Sequence, residues 1–229
     1  MKINFVLPLL LIITLGSCIT PGGRERPKDF TVNLESTQID LGQIEAQFDT
    51  FLGIGGIQKD TVDIVYFPKE NALCLRYRRD FITYYQFWNA PGRAQFLYAL
   101  HKYNEDYNAR NFNSRSGIKE LQSYGIIRSY LIWQSLSFTV QAKANMDIYL
   151  GYNFKERTPY FVTSQRDAEF VHHDTRDMDR TSAIMNMYFT RAQAAELAVY
   201  FDESYLSQAA LGKTQTGNTS DTSADRDEY

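Results

Sequence analysis

Strict alternation of apolar and polar residues constrains this chain more than any other feature. In DIYLGYNF (147–154), Ile148, Leu150, Tyr152 and Phe154 fall on one side. In SLSFTVQAK (135–143), Leu136, Phe138, Val140 and Ala142 oppose Ser135, Ser137, Thr139, Gln141 and Lys143. A period of two puts one set of side chains against a core and the other toward water, the signature of half-buried strands. Strands of that kind form antiparallel sheets that need cover on one face only.

Further strands are predicted at TVDIVYF (61–67), NALCLRYRR (71–79), FITYYQFW (81–88), YFVTS (160–164) and SAIMNMYF (182–189), with a short one at Phe30, Val32 and Leu34. Three segments carry a helical period instead. Asp40 and Gln43 have capping-box spacing, followed by Leu41, Ile44, Phe48, Phe51 and Leu52 and ended by the glycines of LGIGGIQ. Those glycines follow a predicted helix and lack a subsequent G-K-[ST], so they read as a helix stop, not a phosphate loop. A second helix is predicted from Pro91, with Phe96, Leu100, Tyr103 and Tyr107 on one face. A third opens at Thr190 with Gln193 and runs to about Leu211, carrying Ala194, Ala198, Phe201 and Tyr205.

The expected fold is therefore α+β: two layers, a mainly antiparallel sheet with helices packed on one face. RAQFLYALHKYNEDY from Arg93 and RAQAAELAVYFDESY from Arg191 share several residues in register, which raises an internal β-rich-plus-helix duplication against chance similarity of two amphipathic helices. The 16 Tyr and 15 Phe suit a strand-rich core. The expected domain spans 30–211. The polar, Thr/Ser/Asp-rich residues 212–229 lack the apolar surface to offset ordering and are expected to be disordered.

The front of the chain has its own logic. Residues 1–17, MKINFVLPLLLIITLGS, join one Lys to an apolar run too short for the roughly 20 residues of a spanning helix but suited to a signal-peptide core. Leu15-Gly16-Ser17-Cys18 resembles the lipobox of bacterial lipoproteins. That resemblance implies cleavage before Cys18 and acylation of its thiol, with membrane lipid as the partner of the acyl chains. Two or more such chains anchor a protein stably where one does not. Residues 18–29 read as a flexible Pro/Gly-rich tether. The implied address is the bacterial cell envelope, and Ile19 in place of Asp leans toward the outer over the inner membrane.

A net charge of -3, with Lys and Arg scattered among acids, speaks against a nucleic-acid partner. FVHHDTRDMDR concentrates His172, His173, Asp174, Asp177 and Asp179, the densest set of possible metal ligands, yet it matches neither H-E-x-x-H nor an EF-hand loop. A solvated loop between strands is the simpler reading. Arg76 and Arg78 lie on the same side of a strand as Cys74, opposite Leu73, Leu75 and Tyr77. They suit an acidic glycan, a phosphate or a partner carboxylate, or simply solubilise an open face. His101 and Glu105 stand one helical turn apart without a visible third group. No cofactor is expected. The leading expectation is a non-enzymatic binding or scaffolding lipoprotein. A carrier or sensor of an apolar ligand held between sheet and helices comes second, and a metal-dependent hydrolase using the His172–Asp179 loop third.

Overall fold

The computed structural model describes residues 28–49, 57–79, 81–112, 124–135, 141–170 and 185–212. Eight strands form one closed barrel: β1 (Ile39–Asp49), β2 (Ile57–Phe67), β3 (Ala72–Arg79), β4 (Ile82–Trp88), β5 (Gly125–Ser135), β6 (Gln141–Lys155), β7 (Thr158–Phe170) and β8 (Met185–Phe189). Each pairs antiparallel with the next, and β8 closes onto β1 through Gln47↔Tyr188 and Phe48↔Met187. Helix α1 (Ala90–Asn108) lies between β4 and β5; α2 (Arg191–Phe201) and α3 (Glu203–Ala210) follow β8.

This corrects the two-layer α+β expectation. An antiparallel sheet can bury its apolar face by curling onto itself, and full closure also removes every unpaired edge. The strands are steeply tilted. A line of paired residues beginning at Gln47, near the end of β1, passes through Tyr188 and Val162 to Gly151 and reaches β5 at its start.

The alternation read from sequence becomes inside and outside. Ile44, Phe48, Val62, Ile64, Leu73, Leu75, Leu131, Ile148 and Leu150 belong to one interior cluster. Glu45, Lys59, Asp63, Arg76, Lys143 and Asp147 lie at the intervening positions of the same strands. A barrel that crosses a bilayer shows the reverse order, apolar outside and polar within. No helix of the described residues is long and apolar enough to cross a membrane.

The helices plug one end of the barrel and do not cover a sheet face. Phe96 of α1 lies 4.2 Å from Phe201 of α2, 5.8 Å from Trp88 and 5.3 Å from Phe161, centroid to centroid. The Tyr103 hydroxyl donates to the Pro159 carbonyl at 2.8 Å. Asn89 caps α1 by accepting from the Gly92 amide, and Thr190 with Gln193 forms the capping box of α2. The single final helix expected to Leu211 breaks at Asp202, whose extended backbone ends α2 and whose carboxylate caps α3.

Three further local readings change. The helix predicted from Asp40 is β1. A bulge between Asp40 and Gly42, with Gly42 at φ 125°, shifts the parity so that Leu41 and Ile44 both pack on the interior. Two inward residues three apart imitate a helical period. Phe51, Leu52 and the glycines after them lie outside the described residues. Second, Ser135 ends β5 and Gln141 begins β6, so SLSFTVQAK spans two strands, with 136–140 outside the described residues; β5 itself was not expected.

Third, Phe30, Val32 and Leu34 form an extended strap outside the barrel. They cover an outer cluster that includes Val65, Phe67, Cys74, Phe87 and Tyr130. Arg128 clamps the strap's start, donating to Asp29 at 2.6 Å and to Asp147 at 3.0 Å. The Ser36 hydroxyl meets the Glu70 carboxylate near its end. A groove of about 420 Å³ runs between strap residues 31–35 and Tyr130, Ile132 and Lys143.

Candidate functional site

The end opposite the plug, called the mouth below, is where β1, β3, β5 and β7 end and β2, β4, β6 and β8 begin. Its wall is written into neighbouring strands. Tyr77 of β3 pairs with Tyr84 of β4, and Tyr84 pairs with Trp133 of β5, so all three side chains share the inner face. The Tyr77 and Tyr84 rings stack at 5.4 Å with 16° between planes, and Phe48 of β1 lies 5.3 Å from Tyr77. Ala46, Ala142 and Ala144 supply small inner positions between these rings.

A polar floor lies deeper. Gln86 on β4 donates from Nε2 to Gln165 Oε1 on β7 at 3.4 Å, linking strands that are not sheet neighbours, and so reaching across the axis. Trp88 Nε1 donates to Gln86 Oε1 at 3.2 Å. Beneath this floor sits the aromatic plug of Trp88, Phe96, Phe161 and Phe201.

Among the described residues, two inward hydroxyls are buried without a hydrogen-bond partner: Tyr77 Oη and Thr163 Oγ1. The two lie on opposite sides of the floor: Tyr77 is two residues beyond Leu75, the partner of Gln86, toward the mouth, and Thr163 is two residues from Gln165 toward the plug. Folded proteins leave few buried polar atoms unsatisfied, because each costs about 1–3 kcal/mol. Burial, with Tyr84 and Cys74 nearby, pushes the Tyr77 phenol well above its ordinary range, although Arg79 pulls the other way. Tyr77 therefore keeps its proton and stands as a donor.

The rim holds a cation. Arg79, two residues beyond Tyr77 on β3, shares its inward parity. Its Cζ lies 5.1 Å over the Phe48 ring, Nη2 donates to the Asp49 carbonyl at 3.0 Å, and Nη1 is 3.7 Å from the Asp60 carboxylate.

A family model described as an uncharacterised Treponema protein matches residues 32–208, more than half of the chain. The chain belongs to this family. The family match runs from the strap through all eight strands into α3, so the mouth and the plug both lie within it. No curated protein and no solved structure matches the chain.

The residues singled out from sequence fall elsewhere. Arg76 and Arg78 are on the outer face, Arg76 neutralised by Asp63 at 2.8 Å and Arg78 exposed to solvent. Cys74 also faces out but is buried beneath the strap, and burial drives its thiol far above the ordinary range. His101 pairs with Glu105 at 3.2 Å on the exposed surface of α1, where Lys102 meets the same carboxylate at 2.7 Å. Cys18, His172, His173, Asp174, Asp177 and Asp179 lie outside the described residues. Arg79, not Arg76 or Arg78, is the β3 arginine on the inner face. Parity alone could have found it, since it shares a side with Leu73, Leu75 and Tyr77.

Proposed function

We propose that this member of the Treponema family is a lipid-anchored envelope protein whose barrel binds a small, largely apolar ligand at its mouth. It acts as a carrier or sensor without catalysis, and acylation at Cys18 holds it to the membrane. One observation carries the binding reading: the Tyr77 hydroxyl is buried without a hydrogen-bond partner, on an aromatic inner wall above a barrel end that is plugged. Barrel mouths are favoured ligand sites, and such sites combine apolar walls with a few convergent polar groups. Eight strands leave an interior wide enough either to be filled by side chains or to hold one small ligand.

The variant Tyr77→Phe keeps the ring's shape and removes its hydroxyl. Without ligand it should be as stable as the parent or more so, because an orphan polar group has been deleted. It should at the same time lose the thermal shift that ligand gives the parent. The two tryptophans, Trp88 and Trp133, stand at floor and wall, so intrinsic fluorescence reports binding directly. Organic extraction of native protein, followed by mass spectrometry, should yield a stoichiometric apolar compound. A native preparation without one, together with no fluorescence response to apolar probes, would refute the reading. For attachment, Cys18→Ser should release the protein from the membrane fraction.

A further inference from the structure

The rim of the mouth says more about the ligand than its walls do. A guanidinium offers five N–H donors in a rigid fork. Arg79 is only 13% exposed, yet it spends one hydrogen bond on a backbone carbonyl and sits beyond hydrogen-bond distance from Asp60. The Phe48 ring beneath it supplies a cation–π contact but accepts no conventional hydrogen bond. A half-buried cation left this way is short of acceptors. Carboxylate and phosphate oxygens match the guanidinium fork two bonds at a time, which neutral groups cannot do.

We infer that the ligand is an anionic amphiphile, with a carboxylate or phosphate head at Arg79 and an apolar body passing Phe48, Tyr77, Tyr84 and Trp133. The inference rests on the binding reading above and gives it a chemical class. Asp60 is the head group's competitor: its side chain is 38% exposed and can turn to water when an anion takes its place. Depth limits the tail. Gln86, in the floor, pairs with Leu75, four residues below Arg79 on β3. At about 3.3 Å per residue the inner wall from floor to rim is at most roughly 13 Å long, which suits a medium-length acyl chain.

The test uses the full chain carrying Cys18→Ser, so that no acyl anchor competes for the mouth, with tryptophan fluorescence as the readout. Decanoate and decyl phosphate separate a free fatty acid from a phosphate-headed lipid, and methyl decanoate is the neutral control. At least one anion should bind about tenfold tighter than the ester, a bidentate charge-assisted contact being worth that much or more. Arg79→Gln should erase this preference and leave the ester's affinity unchanged. Asp60→Asn should move the anion the other way, to tighter binding, which a merely structural ion pair would not do; this arm also decides the matter should Arg79→Gln fail to fold. Equal binding of ester and acids, or Asp60→Asn weakening the anions, overturns the inference while the binding reading stands. Binding of none of the three probes overturns both.

Discussion

Arg93 of α1 is the buried residue whose loss should be felt most. Its side chain is fully buried, 0% exposed. Nη1 donates to the Asn71 carbonyl at 2.8 Å and to the Trp88 carbonyl at 3.0 Å; Nη2 donates to Asn71 Oδ1 at 2.7 Å and to Glu203 at 2.5 Å. One guanidinium thus joins α1 to the β2–β3 turn, the end of β4 and the start of α3. Asn71 itself holds a left-handed φ of 46°, a backbone conformation that surrounding contacts must maintain.

In Arg93→Met the stem still packs but every donor is gone. The Trp88 carbonyl, opposite Leu73 in the β3–β4 ladder, loses a hydrogen bond from a charged donor worth about 1.5–3 kcal/mol, and the partly buried Asn71 carbonyl adds toward the lower end of that range. Asn71 Oδ1 keeps the Tyr66 hydroxyl at 3.1 Å. Glu203, with its side chain 55% exposed, turns to water at little cost. The total is about 2–5 kcal/mol, a large share of the roughly 5–15 kcal/mol that stabilises a typical domain. At about 2–4 °C per kcal/mol for a chain of this size, Tm should fall by roughly 5–15 °C. Urea unfolding followed by tryptophan fluorescence reads the effect at Trp88, and Glu203→Gln is the control, expected to cost under about 1 kcal/mol. A midpoint for Arg93→Met within about 1 kcal/mol of the parent would refute the reasoning, and so would a Glu203→Gln as damaging as Arg93→Met.

Asp49 pins the short closing strand β8, accepting from Asn186 at 2.7 Å, Lys155 at 2.9 Å and the Tyr188 hydroxyl at 2.9 Å. Burial alone would raise its carboxyl, but these donors outweigh burial and hold it below its ordinary 3.8. The stability it supplies is therefore complete above pH 3.8 and lost as pH falls through the lower folded value. Asp49→Asn should be less stable than the parent at pH 7, with the gap narrowing at pH 3; an unchanged gap in urea midpoints would contradict this. The strap makes a second expectation. In a Cys18→Ser background, Cys74 should label slowly with a thiol reagent, and Asp29→Ala, by freeing one arm of the Arg128 clamp, should speed labelling about fivefold, since a half-exposed charged contact is worth about 1 kcal/mol. Equal labelling rates would mean that the clamp does not hold the strap down.

Period-two patterning is local, so it could be read along the chain. Leu73, Leu75 and Tyr77 against Cys74, Arg76 and Arg78, or Ile148, Leu150 and Tyr152 in β6, announce their sides without any tertiary contact. The caps at Thr190 and Gln193 are equally local, because donor and acceptor stand three residues apart. Arg79 could be placed on the inner side by the same parity, but nothing local says that an inner position near a strand end opens on a mouth.

The amino-acid sequence determined which residues turn inward along strands such as β3 and β6 and where α2 is capped, and it carries the lipobox-like front. Closure was decided only by the fold: whether eight one-sided strands are covered by helices or cover one another depends on long-range register, on tilt, and on the two pairs that join β8 to β1. The bulge at Gly42 shows why. One added residue reverses parity, and a strand then carries the three-residue spacing of a helix until its partner β2 is in place. The candidate site follows the same rule, since Phe48, Tyr77, Tyr84 and Arg79 acquire a shared meaning only when β1, β3 and β4 meet around one axis.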